Sequence, residues 1–397
     1  MTRDAHGLAD PVLAGLSAPA LARLTDVLKA EIARKRLPGV VAAIARKGRL
    51  AYFEVLGRQG PDGDAPMQAD SIFRIFSMTK PIVSLAVMML VEEGRLFLGE
   101  PIAKYLPEFA EMKVGVERGG RLELEPAAAP ITIQDLLRHT SGLTYDFVAT
   151  GRLKDIYTQA LLHRRSQTNA EFCKALASLP LLHQPGTHWS YSHATDVLGR
   201  LIEVVSGSSL EDVLQARILG PLGMSDTAFS VPAGKASRIA EPFAKDPDTG
   251  TDVKLYDPRE VPKLQSGGGG LVSTTDDYLR FLQMLSGGGA LGSTRLIGRK
   301  TLSYMTANHL APGVVVDPAL NLLSPGHGFG LGFAVRTAPG LASLPGSVGT
   351  YNWGGIAGTV FWVDPVEELH ALLMIQAPGQ RDIYRALFRN MVYAAIE

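Results

Sequence analysis

Phe73-Arg74-Ile75-Phe76-Ser77-Met78-Thr79-Lys80-Pro81 is the stretch on which the reading of this sequence turns. It opens an apolar run from about Ser77 to Glu93 that ends at Gly94, and the pattern predicts a helix over that range. Pro81 is compatible with its first turns, because early helical amides lack intrahelical partners. Ser77 and Lys80 stand three apart at the helix start, so their side chains share one face. A serine hydroxyl is a poor nucleophile until a neighbour takes its proton, and a lysine held beside it can contribute. Free amides and the positive end of the helix dipole suit an oxyanion at such a place. Taken alone, the pair also fits a serine cap followed by a solvated first-turn lysine.

Upstream, Pro19 to Lys35 places Leu21, Leu24, Val27, Leu28 and Ile32 at helical spacing, and Pro38-Gly39 stops the pattern. Gly39 to Arg46 and Leu50 to Leu56 are short apolar runs joined across Lys47-Gly48, the signature of an antiparallel hairpin. Downstream, Leu96 to Phe229 reads as short helices broken by Pro and Gly, clearest at Ile133 to Arg138, Asn169 to Ser178, Ala194 to Ser206 and Leu210 to Leu219. Thr275 to Leu285 predicts a further helix. Phe329 to Arg336, Thr359 to Val363 and Leu369 to Ile375 predict strands, and Asp382 to Ala395 a last helix. Strands at both ends and helices between them imply an α/β fold of α+β type. An antiparallel sheet flanked by helices would be built from residues 1–95 and 255–397, with a mainly helical domain, 96–254, inserted. The site would lie in the cleft between the two.

Two further segments bear on chemistry. Tyr191 follows the turn Gln184-Pro185-Gly186 and precedes the helix near Ala194, so its phenol can project into a cleft or pack as a core tyrosine. Tyr351 to Gly358 contains Trp353, Gly354 and Gly355 just before a strand, where glycines allow close approach to the backbone.

Together, in this order and spacing, Ser77-x-x-Lys80, Tyr191-Ser192-His193 and Trp353-Gly354-Gly355 resemble the serine β-lactamase and penicillin-recognising superfamily. Within it the chain is most similar to the family VIII carboxylesterases, which share the class C β-lactamase fold. His139-Thr140-Ser141-Gly142-Leu143, Pro185-Gly186 and Pro221-Leu222-Gly223-Met224 support the resemblance, which spans Leu21 to Ala395. It implies Ser77 as acylated nucleophile, Lys80 as the group that holds and tunes the site, and Tyr191 as general base. The backbone N–H groups of Ser77 and Ile356 would form the oxyanion hole. A cationic lysine beside a phenol favours phenolate, and Tyr191 would later protonate the departing alkoxide and activate water.

The departures from the β-lactamases carry information too. His193 stands where they have Asn, and Trp353-Gly354-Gly355 where they have Lys-Thr-Gly. The missing lysine and threonine bind the β-lactam carboxylate there, so an indole favours neutral esters. Trp353, Gly354, Gly355, Tyr145 and His193 are the candidates for substrate contact. Tyr145 and Trp353 also fit simple packing, and His193 also fits a polar loop histidine.

Composition narrows the alternatives. In 397 residues, Lys+Arg and Asp+Glu are both 39, so there is no field drawing the chain to nucleic acid or to an anionic membrane. No run is long and apolar enough to span a bilayer, and no export signal is visible after the first basic residue. The expected location is cytoplasmic, provided the chain is not a trimmed mature form. The single cysteine, Cys173, allows no internal disulfide and lacks an activating context. His183, His188 and His193 recur every five residues, which does not stack ligands on one helix face, so no metal is expected. The glycines at 267–270 are not followed by the Lys-Ser/Thr of a phosphate loop, no dinucleotide fingerprint is visible, and no cofactor is expected. Gly-x-Ser-x-Gly is absent, which disfavours an α/β-hydrolase. Three functions remain: an esterase acting on short to medium acyl esters, with acyl transfer as a variant; a β-lactam-directed enzyme; and a non-catalytic binding or filament-forming relative. The partner is a small-molecule ester, and oligomeric state is left open.

Overall fold

The computed structural model describes residues 7–60, 65–316 and 322–397. Residues 1–6, the first part of the stretch read for an export signal, lie outside the described residues. Helix α1 (Ala18–Ala33) carries Pro19 in its first turn and turns Leu21, Leu24 and Leu28 inward. Strand β1 (Gly39–Arg46) is buried along its whole length, and β2 (Arg49–Gly57) folds back on it. Lys47 and Gly48 both have positive φ, 52° and 70°, the two-residue turn geometry that matches strand twist.

Helix α2 (Thr79–Glu92) follows, then α3 (Ala194–Ser206) and α4 (Thr275–Ser286). The C-terminal third supplies β3 (His327–Phe329), β4 (Ala334–Arg336), β5 (Tyr351–Gly354), β6 (Val360–Asp364), β7 (Leu369–Met374) and α5 (Arg381–Tyr393). These strands form one antiparallel sheet in the order β3-β4-β5-β6-β7-β1-β2. The seam between the chain's two ends is β1 against β7, with Val41 opposite Met374 and Ile44 opposite Ala371. The fold class expected from the sequence is therefore the one observed, with the sheet drawn from both ends.

Strand alternation divides the core. Val40, Ala42 and Ile44 face Leu21, Leu24 and Leu28 of α1 and Tyr384, Phe388 and Val392 of α5. Val41 and Ala43 face the opposite layer, with Ile82 and Val83 of α2 and Phe281 and Leu282 of α4. Each such aliphatic or aromatic side chain contributes about 1.5–3 kcal/mol on burial. Helix α2 is buried from Thr79 to Leu90, apolar all round, which marks it as an interior helix. Beside α1 and α5, Leu16 bridges to Ile396, and the Ser17 amide donates to the Ala395 carbonyl at 2.7 Å.

Three local readings differ from the structure. Phe329 to Arg336 is two strands rather than one, because the Gly330 amide donates to the Phe333 carbonyl and Gly332 adopts φ +97°, turning the chain between β3 and β4. Leu210 to Leu219 begins as an α-helix (Leu210–Leu214) and loosens into a π-turn (Gln215–Leu219). The helical middle also holds a ribbon, Lys113–Arg118 paired with Arg121–Pro126 across Gly119-Gly120. Its charged residues mask the strand period. Among the described residues no helix is long and apolar enough to cross a membrane.

Candidate active site

Ser77 lies two residues ahead of α2 rather than inside it. It is the middle residue of a 3₁₀ turn, Phe76–Met78, and Phe76 before it is held at φ 43°. A left-handed aromatic residue is strained by roughly 1–3 kcal/mol, and surrounding contacts must hold it. Here the Phe76 ring meets Tyr256 edge-on at 5.4 Å. The turn is fixed from below, where Tyr278 donates to the Met78 carbonyl at 2.9 Å and Thr79 Oγ1 accepts from the Leu271 amide at 3.1 Å.

Lys80, the second residue of α2, is only 1% exposed, so its ammonium is a charge taken out of water. Nζ donates to the Gly268 carbonyl at 2.7 Å and to Tyr145 Oη at 3.1 Å, and lies 3.4 Å from Ser77 Oγ. It also sits 4.5 Å from the centre of the Tyr191 ring. Among the described residues no carboxylate is in ion-pair range of it. Its counter-charge arrives through a peptide: Asp196, in the first turn of α3, accepts the Gly268 amide at 2.9 Å and the Ser266 hydroxyl at 2.5 Å. Burial pushes the Asp196 carboxyl up, but the hydrogen bond from His193, the neighbouring charges and Ser266 hold it down at about 2. A Cβ on Gly268 would stand 2.5 Å from Asp196 Oδ2, so a side chain there would push the carboxylate off the Gly268 amide. The glycines at 267–270 thus form the strap that presents a carbonyl to Lys80.

Tyr191 donates from Oη to Ser77 Oγ at 2.6 Å. It follows the short strand His188–Trp189, and His139 lies beneath it at 5.1 Å between rings. His139 bonds Ser192 Oγ at 3.1 Å, and burial first, then Lys80, keep its imidazole well below the usual range. His139, the first residue of the expected supporting stretch at 139–143, therefore underlies Tyr191. Tyr145, the second phenol on Lys80, is pushed well above its usual range by burial and by the Asp196 charge, so it stays protonated. Trp353, expected to face substrate, is 7% exposed and donates from Nε1 to Tyr191 Oη at 3.3 Å.

The glycines beside it serve the protein's own packing. A Cβ on Gly355 would fall 2.3 Å from the Ile75 carbonyl, and one on Gly354 would fall 2.7 Å from Arg385 Nη2. This close fit brings the end of β5 against the Ser77 turn. The next amide, that of Ile356, has no acceptor among the described residues, and the Ile356 side chain is half exposed.

His193 is buried beside the site, 3.2 Å from Asp196 Oδ2 and 4.2 Å from the Tyr145 ring centre. Burial lowers its imidazole, so the neutral ring serves Asp196 as a hydrogen-bond donor. His183 and His188 stack on each other at 3.9 Å, while His193 joins Tyr145 and Asp196 instead. Cys173 is buried, and desolvation raises its thiol well above the usual range. Sequence reasoning missed Asp196 and the 266–268 strap. The available signal was an aspartate in a helix's first turn together with an unexplained glycine cluster.

Comparison with known proteins bears on the family and the fold. The Beta-lactamase family matches residues 24–394. Protein Rv1367c of Mycobacterium tuberculosis is 37% identical over a stretch covering 86% of each chain. Esterase EstB of Burkholderia gladioli is 33% identical over 97% of this chain and 98% of its own. Among solved structures, EstCE1, described as a hydrolase with promiscuous acyltransferase activity, superposes at a TM-score of 0.79 with 26% identity, covering 94% of this chain and 99% of that one. With the likeness running through nearly the whole sequence and fold, the chain belongs to the Beta-lactamase family and is a serine hydrolase of the carboxylesterase type.

Proposed function

We propose that this chain hydrolyses short- to medium-chain acyl esters through an acyl-enzyme on Ser77. The observation that carries the reading is the 2.6 Å contact of Tyr191 Oη with Ser77 Oγ, with the Lys80 ammonium in reach of both. Tyr191, as phenolate, takes the Ser77 proton while Oγ attacks the ester carbonyl. The Lys80 ammonium lies over the Tyr191 ring and the Trp353 N–H donates to its oxygen, which holds the phenol against Ser77. The amides of Ser77 and Ile356 receive the oxyanion. Tyr191 returns the proton to the departing alkoxide, then takes one from water as the water oxygen attacks the acyl carbon; the Ser77 Oγ–acyl bond breaks, Oγ regains its proton from Tyr191, and the carboxylic acid leaves. Ser77, Trp353 and Ile356 belong to residues 1–95 and 255–397, and Tyr145 and Tyr191 to 96–254, which supports a site in a cleft between two such units. The indole of Trp353 puts no cation where a substrate carboxylate would bind, which favours neutral esters. Acyl transfer to an alcohol is the second reading, favoured by the likeness to EstCE1.

The test is turnover of p-nitrophenyl butyrate against a chromogenic cephalosporin. Strong ester turnover is expected. Ser77→Ala should abolish it together with fluorophosphonate labelling, and Tyr191→Phe should lower kcat about 10²–10⁴-fold. Labelling that survives Ser77→Ala would overturn the assignment of the nucleophile. Preference for the cephalosporin would move the chain to β-lactam chemistry, and activity on neither would leave a binding role.

A further inference from the structure

Helix α5 sends one cation to the back of the site. Arg385 Nη2 donates to the carbonyls of Gly355 and, at 3.2 Å, Thr359. The Gly355 carbonyl also accepts the Gly358 amide at 3.0 Å. That carbonyl and the Ile356 N–H are the two ends of one peptide plane. A charged donor on a peptide's oxygen draws electron density toward it, makes the opposite N–H a stronger donor, and fixes the plane's rotation. The glycine at 354 fits the same arrangement, because a side chain there would displace the guanidinium.

The charge itself is poorly neutralised. Its nearest carboxylate, Asp382, lies 3.6 Å from Nη1 and is 79% exposed. Arg385 Nε is buried with no partner among the described residues. Burial lowers the guanidinium to about 10, which still leaves it cationic at neutral pH.

We propose that Arg385 is a positioning residue of the reaction, acting through the Gly355–Ile356 peptide to orient and strengthen the oxyanion donor of Ile356. The inference rests on the acyl-enzyme reading of Ser77. Because Arg385 touches no reacting atom, its contribution is made to the transition state, where charge appears on the oxyanion, and not to the resting ester.

The experiment compares wild type, Arg385→Met and Arg385→Lys, with active sites counted by fluorophosphonate burst so that unfolded protein drops out. Two quantities are read: kcat and KM on p-nitrophenyl butyrate, and the affinity of an alkylboronic acid, whose tetrahedral adduct places an oxygen at the oxyanion position. Arg385→Met should lower kcat about tenfold to a hundredfold with KM within about twofold, less than or equal to the loss of a whole oxyanion donor. Boronate affinity should fall by a comparable factor, and Arg385→Lys, which keeps the charge but not the planar fork, should recover part of both. A kcat within twofold of wild type, a loss confined to KM, or an unchanged boronate affinity would overturn the inference while the acyl-enzyme stands. A wild type that neither turns over ester nor takes the fluorophosphonate would remove both together.

Discussion

Asp196 shows how a residue can matter to a site without touching its nucleophile. It faces Lys80 only through the Gly268 peptide, yet it is the carboxylate that compensates a buried ammonium. Its carboxyl is held at about 2, below the value near 4 expected of an unfolded chain. A depressed folded value means its stabilisation is complete above about pH 4 and is lost as pH falls toward 2. The difference is worth on the order of 2 kcal/mol. Asp196→Asn should therefore lose stability at pH 6 and show a flatter stability profile between pH 4 and 2, measured by urea unfolding; parallel profiles for the two proteins would refute this. Ser77, Lys80 and Tyr191, which the structure brings together, were named from the sequence only through the resemblance that their segments carry jointly, since each alone also fits a plain structural role. Asp196 and Arg385 could not be, since each meets the site through backbone supplied by a distant segment. Trp353 was legible as a site residue but not as the partner of Tyr191, because nothing in a linear sequence says which way an indole points.

At the scale of elements, the fit of β5 against the Ser77 turn is the joint on which the site depends. A Cβ at 355 meets a backbone carbonyl at 2.3 Å and Thr359 Oγ1 at 2.5 Å, and backbone cannot swing aside as a side chain can. Gly355→Ala should cost about 1–3 kcal/mol of stability. It should also lower kcat by tenfold or more, since displacements of about 1 Å near the reacting atoms are that damaging. Gly99→Ala, with open space around it, is the control and should change neither; thermal melts and ester turnover of the two variants decide the matter. Elements bounded by strong turn chemistry were legible: Lys47-Gly48 set the first hairpin, and Gly94 lies just past the end of α2. The break between β3 and β4 was not, because the turn at 330–333 is written in residues that are apolar as well as small.

For the whole molecule, the sheet is a contract between distant parts of the chain. β1 is buried along its length, and one of its edges is closed by β7, more than 300 positions later in the sequence. A fragment of residues 1–300 should therefore lack a cooperative unfolding transition and bind a hydrophobic dye, its β1 edge left open. A sharp melt of that fragment would show that the N-terminal portion holds together unaided. This architecture was legible in outline, because β-branched runs cluster at both ends and helical spacing fills the middle. The ribbon at 113–126 escaped, since an exposed strand pair does not need the buried face that makes alternation visible.

The bridge between Leu16 and Ile396, with Ser17 bonded to Ala395, has a consequence for how the chain is wired. Two stretches almost 380 residues apart along the polymer finish as neighbours, so the folded path is close to a closed circuit. In a closed circuit the position of the break is a matter of connectivity and not of packing. The seam of the sheet, the strap on Lys80 and the joint at Gly355 would be met in the same cyclic order wherever a surface turn such as Gly119-Gly120 were chosen as the start.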